Sequence, residues 1–313
     1  MNYTDKVRQE FLKSVESQGK MGLAFATAVT KCSSSVAVYK NAISLEYEFR
    51  TYDIAMKVMQ ILKELFGCEI ELVFNTAVDE TYLLKVDTAH SNDMLRQMSM
   101  SHYDNSHLVL YNSAQTMAFL TNREYVSSFM QGLFLCVGSV YLPNDIEVRS
   151  GYHLEFNILQ EDFAQEIVKV LKKCDLPFSV ASRNNSMSVY TKNSQTICDF
   201  FAFIKAVDSA IELNDIIIKR EVNNNINRQT NIYVSNADKV LKSNSRYVEV
   251  IENLLERVDL KKIDEKLYKV AVARLEDFTE SMGDMAERIG MSKSSVARAL
   301  KKIVELEKKY EQG

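Results

Sequence analysis

Six side chains near the C terminus have the types and spacing to bind nucleic acid. Lys293, Ser294, Ser295, Arg298, Lys301 and Lys302 follow Gly290-Met291-Ser292. Lysine and arginine neutralise phosphates, and arginine can also grip a guanine edge with two hydrogen bonds. Serine hydroxyls and a helix N-terminus suit phosphate or base contacts. A second cluster, Arg220, Asn223, Asn224, Asn227 and Arg228, lies in an asparagine-rich stretch that also holds Asn225 and Asn231. Asparagines form loops readily, and they can also fix one domain against another or touch DNA. The two arginines favour a DNA or interdomain role over a passive linker.

Residues for catalysis or metal binding are harder to assemble. There is no Walker-type loop and no GxSxG motif, and Asp79-Glu80 has no second catalytic partner. His102 and His107 share no helical or strand face and read as surface residues. The five cysteines (32, 68, 136, 174 and 198) are odd in number and form no CxxC pair. They imply a reducing cytoplasm without a disulfide framework or a zinc site. Cys68 and Cys174 read as small buried apolar residues. No cofactor is implied.

The basic residues need a helix to present them. Residues 282–289 and 293–306 have helical periodicity on either side of Gly290-Met291-Ser292, which is helix-turn-helix spacing. Ala286 is small enough for a close helix crossing, Gly290 suits a turn at positive φ, and Val296 is a buried anchor. Ile289, Ala299, Leu300 and Ile303 complete the core, and Ser292 caps the second helix. Upstream, the pattern predicts a helix over 264–275. Another runs to about Arg257, capped by Asn236-Ala237-Asp238.

Composition sets the wider frame. The 313 residues carry 38 Lys+Arg and 42 Asp+Glu, a net of −4, with 46% hydrophobic residues. That length suggests about two domains with real cores. Residues 219–313 hold 19 basic and 16 acidic residues, a net of +3, which leaves 19 basic and 26 acidic residues (−7) in 1–218. The longest apolar stretch, 197–211, is interrupted by Asp199, Lys205 and Asp208 and does not suit a bilayer. The polar start, 1–9, is not a secretory signal.

The first two thirds contain a duplication. Leu45-Glu46-Tyr47-Glu48-Phe49 reads like Leu154-Glu155-Phe156-Asn157-Ile158, a displacement of 109 that persists through Asp53/Asp162, Ala55/Ala164, Val58/Ile167 and Leu62/Leu171. Each copy reads as a strand, an amphipathic helix with its apolar face at Ile54, Val58, Ile61, Leu62 and Leu65 in the first copy, and two further short strands. Those strands fall at 69–74 and 82–86, then at 178–181 and 186–190. Each copy opens with a helix of small and apolar residues, 20–29 and 130–140. Gly22, Gly132 and Gly138 there let two helices approach across a pseudo-twofold interface.

The segment Gly132-Leu133-Phe134-Leu135-Cys136-Val137-Gly138-Ser139-Val140 resembles the signature helix of LAGLIDADG homing endonucleases. The whole chain resembles the WhiA family, bacterial regulators that join that fold to a C-terminal helix-turn-helix. The most specific piece is Arg220-Glu221-Val222-Asn223-Asn224-Asn225-Ile226-Asn227-Arg228-Gln229-Thr230-Asn231, followed by Ser235-Asn236.

The resemblance implies an α+β chain: a duplicated LAGLIDADG-like αββαββα domain with pseudo-twofold symmetry over 1–215, a connector over 216–236, and an all-α helix-turn-helix domain over 237–313. It also implies a non-catalytic, cytoplasmic and nucleoid-associated DNA-binding transcriptional regulator acting in sporulation or in cell division and chromosome segregation. Active homing endonucleases end their signature helices in metal-holding carboxylates. Alignment on Gly132 and Gly138 puts Val137 at that position of the second copy, and alignment on Gly22 puts Thr27 there in the first. Asp145, in the following loop, is a poor substitute. The expected partners are double-stranded DNA and, given the −7, a protein at the duplicated domain, with no membrane. A residual metal-dependent endonuclease or maturase, or a protein-interaction scaffold, are the alternatives.

Overall fold

The computed structural model describes residues 2–39, 42–75, 80–104, 107–143 and 151–311. Asp79, Asp145 and Gly313 lie outside them. The chain divides into two compact units, Met1–Arg220 and Glu221–Gly313.

The first unit is α+β and built twice. After α1 (Tyr3–Leu12), the first copy runs α2 (Gly19–Ser33), β1 (Ser34–Tyr39), β2 (Ala42–Phe49), α3 (Tyr52–Phe66), β3 (Ile70–Asn75), β4 (Thr81–Val86) and α4 (Thr88–Gln97). A hairpin of β5 (Ser101–Asp104) and β6 (His107–Leu110) and the short α5 (Ser113–Met117) lead to the second copy. That copy runs α6 (Arg123–Val137), β7 (Gly138–Tyr141), β8 (His153–Ile158), α7 (Glu161–Lys173), β9 (Ser179–Arg183), β10 (Ser186–Thr191) and α8 (Ser194–Phe203). The sheets have the same antiparallel order, β1-β2-β4-β3 and β7-β8-β10-β9. This is the duplicated αββαββα arrangement of a LAGLIDADG-like domain. The hairpin, α4, α8 and the first strand of each sheet are additions to the elements the sequence pattern predicts.

The pairing register refines the duplication. Tyr47 pairs with Ser34, and Phe156, its counterpart at displacement 109, pairs with Gly138. Ser34 and Gly138 are therefore equivalent at a displacement of 104, because Gly138 to Phe156 spans 18 residues where Ser34 to Tyr47 spans 13. Helix α2 thus ends at Ser33 where α6 ends at Val137. Thr27 is not the counterpart of Val137. It lies within α2, fully buried, and its hydroxyl donates to the Leu23 carbonyl at 2.7 Å. Alignment on Gly22 misplaces it because the copies match by sheet register, whereas Gly22 and Gly132 sit at different heights on their helices.

Helices α2 and α6 pack on each other along small residues. A Cβ added at Gly132 would lie 2.6 Å from the Phe25 carbonyl oxygen and 3.0 Å from the Ala28 Cβ. Gly132 therefore serves the close approach the sequence suggests. Gly22 and Gly138 do not. A Cβ at Gly22 would meet the Ser17 backbone, and one at Gly138 would meet Phe134 in its own helix. Below the helices, Phe134 stands among Phe11, Phe156, Phe200 and Phe201, with ring centroids 6.0 to 6.5 Å away. Cys68 and Cys174 are buried as expected, and burial pushes both thiols up.

The second unit is helical. Helix α9 (Val207–Arg257) enters it, followed by α10 (Leu260–Ile263), α11 (Glu265–Glu276), α12 (Met282–Arg288) and α13 (Lys293–Glu311). Ile251, Leu254, Leu267, Val270, Met285, Val296, Leu300 and Ile303 form its core. The expected connector over 216–236 and the cap at Asn236 give way to helix, since α9 is one element of 51 residues. Each asparagine costs only about half a kcal/mol relative to alanine within a helix. No glycine or proline stands between Pro177 and Gly283 to force a break. No helix among the described residues is long and apolar enough to cross a membrane.

Candidate nucleic-acid interface

The turn between α12 and α13 is set by its own backbone. Gly290 has φ +65°, a conformation that favours glycine. Its N–H donates to the Glu287 carbonyl (3.1 Å), and the Met291 N–H donates to Ala286 (2.8 Å). These two bonds form the Schellman ending, which satisfies the last carbonyls of α12. Ser292 then caps α13, since the Ser295 N–H donates to its hydroxyl oxygen at 3.2 Å. Ala286, Val296, Ala299, Leu300 and Ile303 are buried, so the rest of the helix must face outward.

The basic residues of α13 face outward, and Glu305 is exposed on the same face. Lys293, Ser294, Arg298, Lys301 and Lys302 are exposed, and Ser295 is half-buried. Positions 294, 298 and 301 share one helical face, with Lys293 at the first turn. The Arg298 Nε donates to the Ser294 carbonyl at 3.2 Å, which holds the guanidinium along the helix. Lys302 differs from the others, because its Nζ donates to Asp264 at 3.1 Å. That carboxylate also accepts from the Lys266 and Leu267 N–H groups as the N-cap of α11. The Lys302 hydrogen bond is the main reason its carboxyl sits below the ordinary value.

A buried polar frame fixes the far side of this unit. Asn244 of α9 donates to the Phe278 and Glu280 carbonyls (2.8 and 3.0 Å), and fully buried Arg274 donates to Glu280 (2.7 Å). The Glu280 carboxylate in turn accepts from Arg288 at 2.9 Å, while Arg288 also donates to Glu276 and to the Ala273 carbonyl. The frame joins α9, α11 and α12. The sequence gives no signal for it, since a lone arginine or asparagine on a helix reads as surface.

Arg220, Asn224, Asn227, Arg228 and Asn231 fall on one side of α9 at about 100° per residue, with Asn223 at its margin. The Arg220 guanidinium lies over the Tyr152 ring, 5.3 Å from its centroid, so it packs within the first unit. The structure thus brings together the α13 cluster and, separately, the α9 polar side.

The resemblance to homing endonucleases implies that metal ligands would sit at the ends of α2 and α6. A cleft of about 850 Å³ opens there, lined in part by Arg8, Ser33, Ser34, Glu46, Glu48, Arg50 and Cys136. Ser33 and Val137 offer one hydroxyl and one isopropyl group, which do not fit a hard cation that takes carboxylate and other oxygen ligands. Among the described residues, no three His, Cys, Asp or Glu side chains gather as metal ligands. The outer side of the first sheet carries Glu46, Glu48 and Glu71 against Lys85, which pairs with Glu46 at 3.6 Å. On the second sheet, the Glu155 carboxylate accepts from Ser188 and contacts the His153 ring.

Comparison with known proteins places this geometry. The model of the WhiA LAGLIDADG-like domain matches residues 126–223, and that of the WhiA C-terminal HTH domain matches 226–307. The chain belongs to the WhiA family. Two similar WhiA proteins are the probable cell division proteins of Ligilactobacillus salivarius (strain UCC118) and Pediococcus pentosaceus (strain ATCC 25745 / CCUG 21536 / LMG 10740 / 183-1w). The first is 26% identical over 320 residues, covering 100% of this chain and 98% of that protein. The second is 27% identical over 310 residues, with 97% of each chain covered. The crystal structure of full-length DUF199/WhiA from Thermatoga maritima superposes with a TM-score of 0.58 at 20% identity, covering 97% of this chain and 96% of that one. It shows that the WhiA fold extends through nearly the whole chain.

Proposed function

We propose that this WhiA protein is a non-catalytic, sequence-reading DNA-binding regulator. One observation carries the reading: the exposed basic side of α13, with Lys293, Ser294, Arg298 and Lys301, projects from a helix anchored by Val296, Leu300 and Ile303 behind a glycine turn. A helix held this way can enter a major groove, with arginine reading a base edge and lysines on phosphates. Ser295 supports the N-terminal turn. Lys302 must leave Asp264 to reach DNA. Asn223, Asn224, Asn227 and Arg228 form a second polar side for backbone contacts, and Arg220 packs over Tyr152 within the first unit. In this reading the duplicated domain covers 1–215 and the helix-turn-helix domain 237–313, with 216–236 as the joining helical segment.

The duplicated unit suits a protein partner better than DNA, because 1–218 carries a net of −7 and its first sheet turns three glutamates outward. Its helix ends offer no carboxylate pair for metal-dependent cleavage. The relatives named as probable cell division proteins support a role in cell division, and transcriptional control, sporulation and chromosome segregation fit a regulator on the nucleoid of the cytoplasm.

Fluorescence anisotropy with labelled duplex DNA tests the reading. Lys293→Ala/Arg298→Ala should weaken binding by roughly tenfold or more, lower the salt slope by about 1 through Lys293, and relax base preference through Arg298. Unchanged affinity and slope would remove α13 as the reading helix. Mapping bound DNA across the genome, with the same variant, distinguishes promoter control from general chromosome binding.

A further inference from the structure

Two cysteines occupy matched places in the two copies of the first unit. At the displacement of 104 set by the sheet register, Cys32 near the end of α2 corresponds to Cys136 near the end of α6, and Ala28 corresponds to Gly132. Ala28 and Gly132 meet at the pseudo-twofold axis, since a Cβ at Gly132 would lie 3.0 Å from the Ala28 Cβ. Cys32 and Cys136 stand about one helical turn further on, on the same faces of their helices. The Ser33 side chain lies within hydrogen-bonding reach of the Cys136 sulfur. A step forward along α6, from Gly132 to Cys136, is thus also a step forward along α2, from Ala28 to Ser33. The helices run side by side in one direction and carry both thiols to one place.

The surroundings suit chemistry at sulfur. Both cysteines are half-buried and line the cleft at the helix ends, together with Arg8 and Ser33. A small oxidant can enter there. Burial pushes both thiols up, Cys136 to about 11, so each is protonated near neutrality and slow to react. The Cys136 sulfur adds to the rise at Cys32, and Lys31 opposes it. Ser33 and Arg8 favour the thiolate at Cys136, while Tyr47 of β2 faces the same sulfur. Cys136 is therefore the first to ionise. A disulfide needs Cβ atoms about 3.5–4.5 Å apart. The two helices already approach that closely one turn earlier, at Ala28 and Gly132.

We propose that Cys32 and Cys136 form a modification site, closed by a peroxide into a disulfide that ties α2 to α6. The Cys136 thiolate attacks one oxygen of hydrogen peroxide. The O–O bond breaks, water leaves and a sulfenic acid remains. The Cys32 sulfur then attacks that sulfur, the S–O bond breaks, and a second water leaves. Two thiols lose two electrons and two protons, and one peroxide becomes two waters. A dithiol reductant reverses the change. The bond joins the two copies across a long stretch of chain, so the oxidised first unit resists unfolding more than the reduced one.

Peptide mapping of the full-length protein, treated with hydrogen peroxide at about pH 9 and alkylated after denaturation, tests the site without DNA. One cross-linked species should join Cys32 to Cys136, about 2 Da lighter than the two free peptides and released by dithiothreitol. Cys68, Cys174 and Cys198 should be alkylated. Oxidation should quicken about tenfold per pH unit from pH 7 to 9, as the thiolate fraction grows. The oxidised protein should unfold at a higher urea concentration than the reduced one, a gain absent in Cys32→Ala. In that variant the Cys136 sulfenic acid should persist and be trapped by dimedone. Full alkylation of both thiols after peroxide overturns the proposal. So does their separate oxidation to sulfinic acids without a cross-link, or a bond from Cys136 to a different cysteine.

Discussion

Lys302 shows how one side chain can serve two masters. Its position in a basic run suggests DNA, yet its ammonium donates to the Asp264 cap of α11. That bond holds the folded-state carboxyl below its ordinary 3.8. A lowered pKa means stability that is present above the unfolded value and is lost as pH falls through the folded one. Asp264→Asn should therefore melt at lower temperature than the parent at pH 6, and the two melting temperatures should converge as pH approaches 2. A constant gap across that range would show that the charge is irrelevant and only the cap geometry counts. Arg274 is the opposite case. It is fully buried, makes one bond to the Glu280 carbonyl, and burial pulls its pKa down. Its role is internal, which its charge alone would not suggest.

Two glycines make opposite predictions about their helices. At Gly132 of α6, a larger side chain collides with the α2 backbone at Phe25, which cannot swing aside as a side chain would. Gly132→Val should destabilise the first unit by about 1–3 kcal/mol, as overpacked cores do, read as a lower urea midpoint. At Gly283 of α12, an added Cβ meets nothing closer than the Ser281 hydroxyl at 3.6 Å. Gly283→Ala should stabilise by up to about 1 kcal/mol, since alanine gives up less backbone entropy in a helix. A neutral Gly132→Val would mean that α2 and α6 can separate without cost.

At the scale of the molecule, the net charge of −4 combines an acidic unit with a modestly basic one. DNA affinity then rests on a few placed cations. If Lys293 and Lys301 each neutralise one phosphate while Arg298 reads a base edge, log affinity against log salt should have a slope near −1.8, about a 12-fold loss between 50 and 200 mM salt. Titration of duplex DNA over that range measures it. A slope steeper than about −5 would bring the polar side of α9, or a second copy of α13, into the contact.

What the sequence determined by itself was local. The turn glycine, the Ser292 cap and the buried set Ala286, Val296, Ala299, Leu300 and Ile303 are written in neighbours a few residues apart, where helical periodicity and capping chemistry act. The duplication of strand and helix is equally local, and it was legible at displacement 109. The candidate site residues of α13 followed directly, because the buried positions leave the basic ones no other direction. The tertiary structure decided what depends on distant partners. Sheet pairing moved the helix displacement to 104 and put Ser33, not Thr27, opposite Val137. The α2–α6 contact gave Gly132 a role that Gly22 and Gly138 lack. Arg220 met Tyr152, and Lys302 met Asp264. The asparagine-rich stretch became helix, since asparagine only weakly disfavours a helix and nothing in the chain compels a break there.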